Sequence, residues 1–301
     1  MNEREYQKSA VRKKAINRPN IWDKLKSYRK HPGAFLLLLL VCAAAVITAV
    51  TLLFLVGYVL VTGVPNLKPS LFAWKYNSDN VSMVPAIINT IEMVLMALFV
   101  AVPLGVGAAI YLVEYAKKGN KIIGLVRLTA ETLTGIPSIV YGLFGMLFFV
   151  TALGWRNSML AGAMTLAIMV LPTIMRTTEE ALLSVPDSYR EGSFGLGAGK
   201  LRTVFQIVLP AAIPGILSGV ILAIGRIVGE TAALIYTAGT VAGYAGVMDS
   251  GRTLAIHTYV LSNEGMHKNE ANATAVVLLL IVLGINAVSS MLAKKIEAPE
   301  A

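Results

Sequence analysis

Residues 177–210 read TTEEALLSVPDSYREGSFGLGAGKLRTVFQIVLP, and this stretch decides how the chain must be folded. Between Arg176, just ahead of it, and Arg202 stand eight charged residues, Arg176, Glu179, Glu180, Asp187, Arg190, Glu191, Lys200 and Arg202, yet apolar runs long enough to cross a bilayer flank the stretch on both sides. Eight charges cannot be buried in lipid, so the stretch lies in water at a membrane surface. Pro186 closes one helical pattern, Asp187 or Ser188 can cap the next, and the turn Gly197, Ala198, Gly199 separates that from a third pattern running into Leu209 and Pro210. A helix, a turn and a helix of this size cannot fold alone, so the expected use is docking into something larger.

Outward from this stretch the composition is that of a membrane protein: 56% of the 301 residues are hydrophobic and 14% charged. The single cysteine, Cys42, allows no internal disulfide. His31, His257 and His267 are scattered without metal-ligand spacing, so no metal site is expected. A net charge of +9 raises nucleic acid as a partner, but ten of the 26 Lys and Arg precede Pro32, directly ahead of a long apolar run. That is a topology signal resting on anionic lipid, and no nucleic-acid partner is expected.

In order, residues 1–33 form a basic arm with Trp22 at the interface, and residues 34–62 a featureless first span, too long for a signal-peptide core. Residues 63–84 read as an exposed loop carrying Trp74, and a second span follows over about 85–113 with Glu92 near its start. Residues 122–153 are too long for one straight helix, and Gly135 and Pro137 place a break at GIPS. A short fourth span covers about 158–173, a fifth about 210–237, and a last one 273–293, after a polar loop at 243–272 and before a tail at 296–301. With both termini inside, the segments on the inner side hold 20 Lys and Arg and those on the outer side 5, which makes the 177–207 loop cytoplasmic.

Enzyme chemistry is not expected. Gly195 to Lys200 resembles a phosphate loop only superficially, because Phe194 and Leu201 stand where Gly and Ser or Thr are needed. No nucleophile is paired with a base, so no catalytic residue is assigned. What remains is charge inside the membrane: Arg226 and Glu230, four apart in GRIVGETAAL and expected on one helix face, and Glu92. Such a cation either pairs with Glu230 or Glu92 to lock helices, or lines a pathway.

These motifs carry a family resemblance. Glu191, Gly192 and Ser193 stand where ABC importer permeases carry EAA; Gly197 follows after three residues, Ile207 after nine more, then Leu209 and Pro210. The chain resembles that family, with two alanines exchanged for Gly192 and Ser193. GRIVGETAAL, VPLGVGAAIYLVEY and GIPSIVYGLFG further resemble the permeases of phosphate importers, of the PstA type, over residues 85–295. The resemblance implies an all-α integral membrane fold of six spans. Five of them form a MetI-like core over 85–295 with the docking loop at 177–207, and the first span is an addition.

It also implies a role: Arg226, Glu230, Thr231 and Glu92 in the phosphate pathway, and Arg190, Glu191, Gly192, Ser193, Gly197, Gly199, Ile207, Leu209 and Pro210 in docking an ATPase. The implied partners are a homologous PstC-type permease, two ATPase subunits that use ATP and Mg, and an external phosphate-binding protein. This chain itself is expected to bind no cofactor and to sit in the bacterial inner membrane. A permease for molybdate, sulfate or phosphonate, or a secondary transporter driven by an ion gradient, remains an alternative reading.

Overall fold

The computed structural model describes residues 32–117 and 119–297. The expectations for the basic arm up to residue 31, with Trp22, and for residues 298–301 fall outside the described residues. Every regular element among the described residues is helical, and the described chain divides into two units, one ending at Tyr58 and the other beginning at Val59.

Helix α1, Pro32–Gly63, carries an unbroken run of Leu, Val, Ala and Phe with no charge, and its 32 residues reach about 48 Å at 1.5 Å per residue. Leu37, Val41, Ile47, Leu53, Phe54 and Val61 are all exposed on it, as a lipid-immersed helix requires.

In the second unit, residues 63–84 keep an exposed side, with Trp74 67% exposed, but are also folded against the rest of the unit. Asn77 Oδ1 accepts the backbone N–H groups of Asp79 (3.2 Å) and Asn80 (2.7 Å), tightening a turn that turns the neighbouring apolar residues inward. Leu71, Val81 and Met83 are buried, and Leu71 and Met83 pack with Leu254 and Ala273. The segment is a folded cap.

Helix α2, Val84–Ile110, continues through a π-helical turn, Tyr111–Tyr115. Helix α3, Lys121–Thr134, starts on Asn120, whose side chain accepts the Ile122 N–H, and meets α4, Ser138–Gly145, at a bend of 103°. The expected break at GIPS is therefore present. Pro137 offers no N–H to continue the helix, and the Tyr141 hydroxyl reaches back across the bend to the Leu133 carbonyl at 2.7 Å. A π-helical stretch, Met146–Ala152, extends α4.

Helix α5, Met159–Ser184, is the central post. The sequence ends this span near residue 173; instead Pro172 is accommodated inside the helix, which runs on for three further turns. Arg127 with Glu179, and Arg176 with Glu131, tie that extension to α3, while Arg176 also pairs with Glu180 one turn along α5 itself. Small residues let neighbours approach α5: a Cβ on Gly105 of α2 would stand 2.9 Å from Ile174 Cγ2.

Helix α6, Asp187–Gly195, and α7, Lys200–Thr203, follow, and a π-helical turn, Val204–Val208, leads into α8, Leu209–Val228. Contrary to the expectation of one span over 210–237, the helix stops at Val228 and restarts as α9, Ala232–Thr237. Helix α10, Leu254–Glu264, occupies what reads as a polar external loop, and α11, Lys268–Glu297, ends the described chain. The loop folds inward because Asn89 and Thr90 of α2 bind its backbone: Asn89 Nδ2 donates to Gly243 O (2.9 Å) and Arg252 O (3.2 Å), and Thr90 Oγ1 accepts Leu254 N–H (2.8 Å). Five helices are long and apolar enough to cross a membrane, and the bent α3–α4 pair makes a sixth. Six spans are thus retained.

Candidate functional site

Two places deserve the name. At the first, where α5 gives way to α6, Arg190 is the organising side chain. Its Nη2 donates to Glu114 Oε1 (2.8 Å) and to Leu182 O (2.9 Å), and its Nη1 to Val185 O (2.8 Å) and Asp187 Oδ1 (3.2 Å). The side chains of Arg190 and Glu114 are 14% and 8% exposed, so this residue of the docking set is turned inward, an anchor to the end of α2. Ser193 is also buried, its hydroxyl 2.8 Å from that of Thr203, which clamps α6 against α7. Lys200 lies 5.2 Å from the Tyr115 ring centre and adds a cation–π contact to the same end of α2.

The remaining docking residues form the outer face. Glu191, Gly192, Gly197 and Gly199 are exposed, with Phe194, Leu196, Leu201, Phe205 and Ile207 beside them, and Leu196 is 91% exposed. Gly197 has φ +81°, its N–H bonds to Phe194 O (2.9 Å), and Ala198 N–H bonds to Ser193 O (3.1 Å). That is the paired C-terminal cap that needs a left-handed residue, so the glycine is required by the backbone. Leu209 packs on the inner cluster with Val204 and Val208, and Pro210 opens α8 on its exposed side.

The second place is the break in the α8–α9 span. Gly229 ends α8, and Glu230 follows outside the helix rather than on the face of Arg226, correcting the expected i, i+4 arrangement. Glu230 is 8% exposed, and its Oε1 accepts the Ala233 N–H at 3.0 Å, so the carboxylate caps the restarted helix. Arg226 is half-buried and makes no ion pair within 4 Å among the described residues, with Glu230 or Glu92. Thr231 lies at the break, half-buried, while Glu92 sits apart on the exposed side of α2.

Two of the sequence motifs meet here. A Cβ on Gly142 of α4 would stand 2.7 Å from Ala233 Cα, so GIPSIVYGLFG packs backbone to backbone on GETAALIYT. The sequence gives the GIPS bend through its proline; it offers only Gly229 and the capping residues after it as a hint of the second break.

Beneath the cap lies a polar group that the sequence does not reveal. Arg252 is 4% exposed with its guanidinium 4.8 Å from the Tyr76 ring centre, and its Nη2 has no hydrogen-bond partner among the described residues. His257 is fully buried, its ring 6.2 Å from that of Tyr76 and neither nitrogen bonded. Burial first, and the Arg252 charge second, push its pKa down to about 3; the Val81 backbone acts in the opposite direction without reaching hydrogen-bond geometry.

Residues 101–298 match the family described as the binding-protein-dependent transport system inner membrane component. The chain is 33% identical over 280 residues to the probable ABC transporter permease protein YqgI of Bacillus subtilis, covering 85% of this chain and 94% of that one. It is 36% identical over 212 residues to the phosphate transport system permease protein PstA 1 of Mycobacterium tuberculosis, covering 69% of each. Among solved structures, that of a bacterial alginate ABC transporter superposes with a TM-score of 0.63 at 14% identity, covering 91% of this chain and all of that one. An inward-facing MetNI methionine ABC transporter gives a TM-score of 0.57 at 20% identity, over 71% of this chain and 94% of that one. The all-helical MetI-like architecture and the PstA-type resemblance read from the motifs both hold, and the chain belongs to the binding-protein-dependent inner-membrane permease family of ABC importers.

Proposed function

We propose that this chain is the PstA-type permease of an ATP-driven phosphate importer, forming the pathway together with a homologous PstC-type permease. The observation that carries the reading is Arg226: a half-buried guanidinium with no carboxylate within 4 Å among the described residues. It lies about 24 Å along α8 from Pro210 at 1.5 Å per residue. A cation so deep needs a compensating charge, and in an importer of this family a passing anion supplies one. The relatives named for phosphate transport support phosphate over molybdate, sulfate or phosphonate.

The exposed apolar knob around Leu196 supports docking of a separate ATPase subunit, on which ATP and Mg act. ATP-driven closure of two such subunits moves the α6–α7 elements, and the tie from Arg190 to Glu114 passes that motion to α2. In this arrangement this chain binds no cofactor, both termini face the cytoplasm of a bacterial inner membrane, and an external phosphate-binding protein delivers the ion. The ratio of 20 to 5 Lys and Arg supports that orientation.

The test is uptake by the reconstituted complex with labelled phosphate, sulfate, molybdate and phosphonate, with and without ATP. Phosphate-selective, ATP-dependent uptake is expected. Selective uptake of another oxyanion would move the reading to that importer class, and uptake driven by an ion gradient without ATP would end it.

A further inference from the structure

Between Glu92 and Glu114, helix α2 and its π-helical turn carry 21 uncharged residues, about 32 Å of chain and close to the thickness of a hydrocarbon core. Glu114 therefore marks one edge of the bilayer. The exposed rings of Tyr111 and Tyr115 stand at that edge, as interfacial aromatics do. Leu112, just inside it, packs in one cluster with Leu182 near the end of α5, so that end of α5 reaches the same level. There a cavity of about 490 Å³ lies between the end of α2, the start of α3 and the end of α5. Leu112, Val113, Ile123 and Leu183 form its apolar walls, and Lys117 and Asn120 its polar rim. Leu183 is left 62% exposed.

The charge at the rim has one sign. From Tyr115 to Ala130 the sequence holds Lys117, Lys118, Lys121 and Arg127 and no carboxylate. Glu114, just before this run, is bound to Arg190, and Arg127, also on the cavity wall, is bound to Glu179. Lys117 has no carboxylate within 4 Å among the described residues. A free cation at the water edge of an apolar groove, at the boundary of a bilayer, matches an amphiphile that the membrane itself supplies: a phospholipid with an anionic headgroup. Inorganic phosphate would leave the apolar walls bare, and a zwitterionic lipid brings no net charge to the lysine.

We infer that the groove between the ends of α2, α3 and α5 binds one anionic phospholipid, with its phosphate at Lys117 and Asn120 and an acyl chain against Val113, Ile123 and Leu183. The site uses none of the residues assigned above to ion passage or to ATPase docking, so it stands whichever ion is carried. It adjoins the coupling end nonetheless, because Glu114, three residues from Lys117, carries the tie to Arg190.

The test titrates the complete purified complex in detergent with phosphatidylglycerol and, separately, with phosphatidylcholine, and counts bound lipid by native mass spectrometry. One phosphatidylglycerol per copy of this chain is expected to bind more tightly than phosphatidylcholine and to raise the melting temperature of the complex. Lys117→Gln should weaken that binding about fivefold, the effect of one lysine at an anionic surface, and leave phosphatidylcholine unaffected. Gly124→Leu probes the groove without touching a charge. Gly124 lies on the cavity wall and a Cβ there meets nothing within 4 Å, so the added side chain enters the groove, and leucine suits the helix better than glycine. This variant should lose both the tight phosphatidylglycerol and the rise in melting temperature. Equal binding of the two lipids by the wild-type complex, or unchanged binding in both variants, overturns the site. A defect in Lys117→Gln with wild-type binding by Gly124→Leu also overturns it, leaving surface charge alone. Displacement of the lipid by inorganic phosphate would show a site for the free anion and overturn the lipid assignment.

Discussion

Two arginines of this chain sit in opposite circumstances. Arg190 makes bonds to Glu114, Asp187 and the carbonyls of Leu182 and Val185, so its charge is matched and its position fixed. Arg226 has no carboxylate within 4 Å among the described residues, though it lies within a membrane span. A cation saturated by its own chain is a structural tie. One left unsaturated, in surroundings where that is costly, is kept for something the chain does not itself contain. The difference separates a saturated tie at the α5–α6 junction from an unsaturated cation near the end of α8.

The largest effect is expected at Arg226. Arg226→Gln should abolish phosphate uptake while insertion and subunit assembly persist, and the double variant with Glu230→Gln should remain inactive. Because Glu230 bonds Ala233 N–H rather than Arg226, neutralising both charges offers no rescue. Recovery of uptake in the double variant would place Arg226 with Arg190 as a structural tie. Arg226→Lys keeps the charge without the fork, and partial uptake is expected.

Next comes Arg190→Ala, which strands the 8%-exposed Glu114 carboxylate and frees two carbonyls. The expected loss is about 3–5 kcal/mol, the range for breaking a buried pair from one side. It should appear as a lower melting temperature of the detergent-solubilised complex together with weaker retention of the ATPase subunit. A loss below about 1 kcal/mol would mean that the pair behaves as a solvated surface contact.

Much of this contrast was legible in the sequence. The spacing from Glu191 to Pro210 marked the family motif on α6, α7 and the start of α8, and Pro137 located the α3–α4 bend. What escaped depends on contacts distant along the chain. Glu114 and Arg190 are 76 residues apart, and no local pattern joins them. The α8–α9 break follows a sequence whose residues all suit a helix except Gly229, and it is held by Glu230 and by backbone packing on Gly142. Helix α10 was missed because it is buried on several sides, which erases the amphipathic period that identifies surface helices.

His257 supplies a third prediction, at the cap rather than at either arginine. Its folded pKa of about 3 lies below the ordinary unfolded value of about 6.5, so the unfolded chain takes up the proton first. Stability of the cap is therefore fully present above about pH 6.5 and falls toward pH 3, at about 1.4 kcal/mol per pH unit. Melting of the solubilised complex at pH 7 and pH 5 should differ by about 2 kcal/mol, and His257→Phe should remove that contribution while keeping the buried ring. An undiminished acid sensitivity in the variant would assign it to other groups.

The smallest effect concerns Gly197 and asks what the coupling end needs from its turn. A Cβ there meets nothing within 4 Å, so within this chain only φ +81° resists a side chain. Gly197→Ala should cost about 1–2 kcal/mol through the left-handed backbone alone, and Gly197→Asn less, since asparagine visits that conformation more readily. The pair of variants separates backbone from surface. If Asn restores both melting temperature and ATPase retention, the glycine serves the turn. If Asn restores stability while the ATPase is still lost, the partner's surface comes within a side chain's width of Gly197. Gly197→Arg should then abolish uptake in an inserted permease. Normal uptake by the Arg variant would remove this turn from the coupling end and leave Arg190 anchoring a loop with no partner to move it.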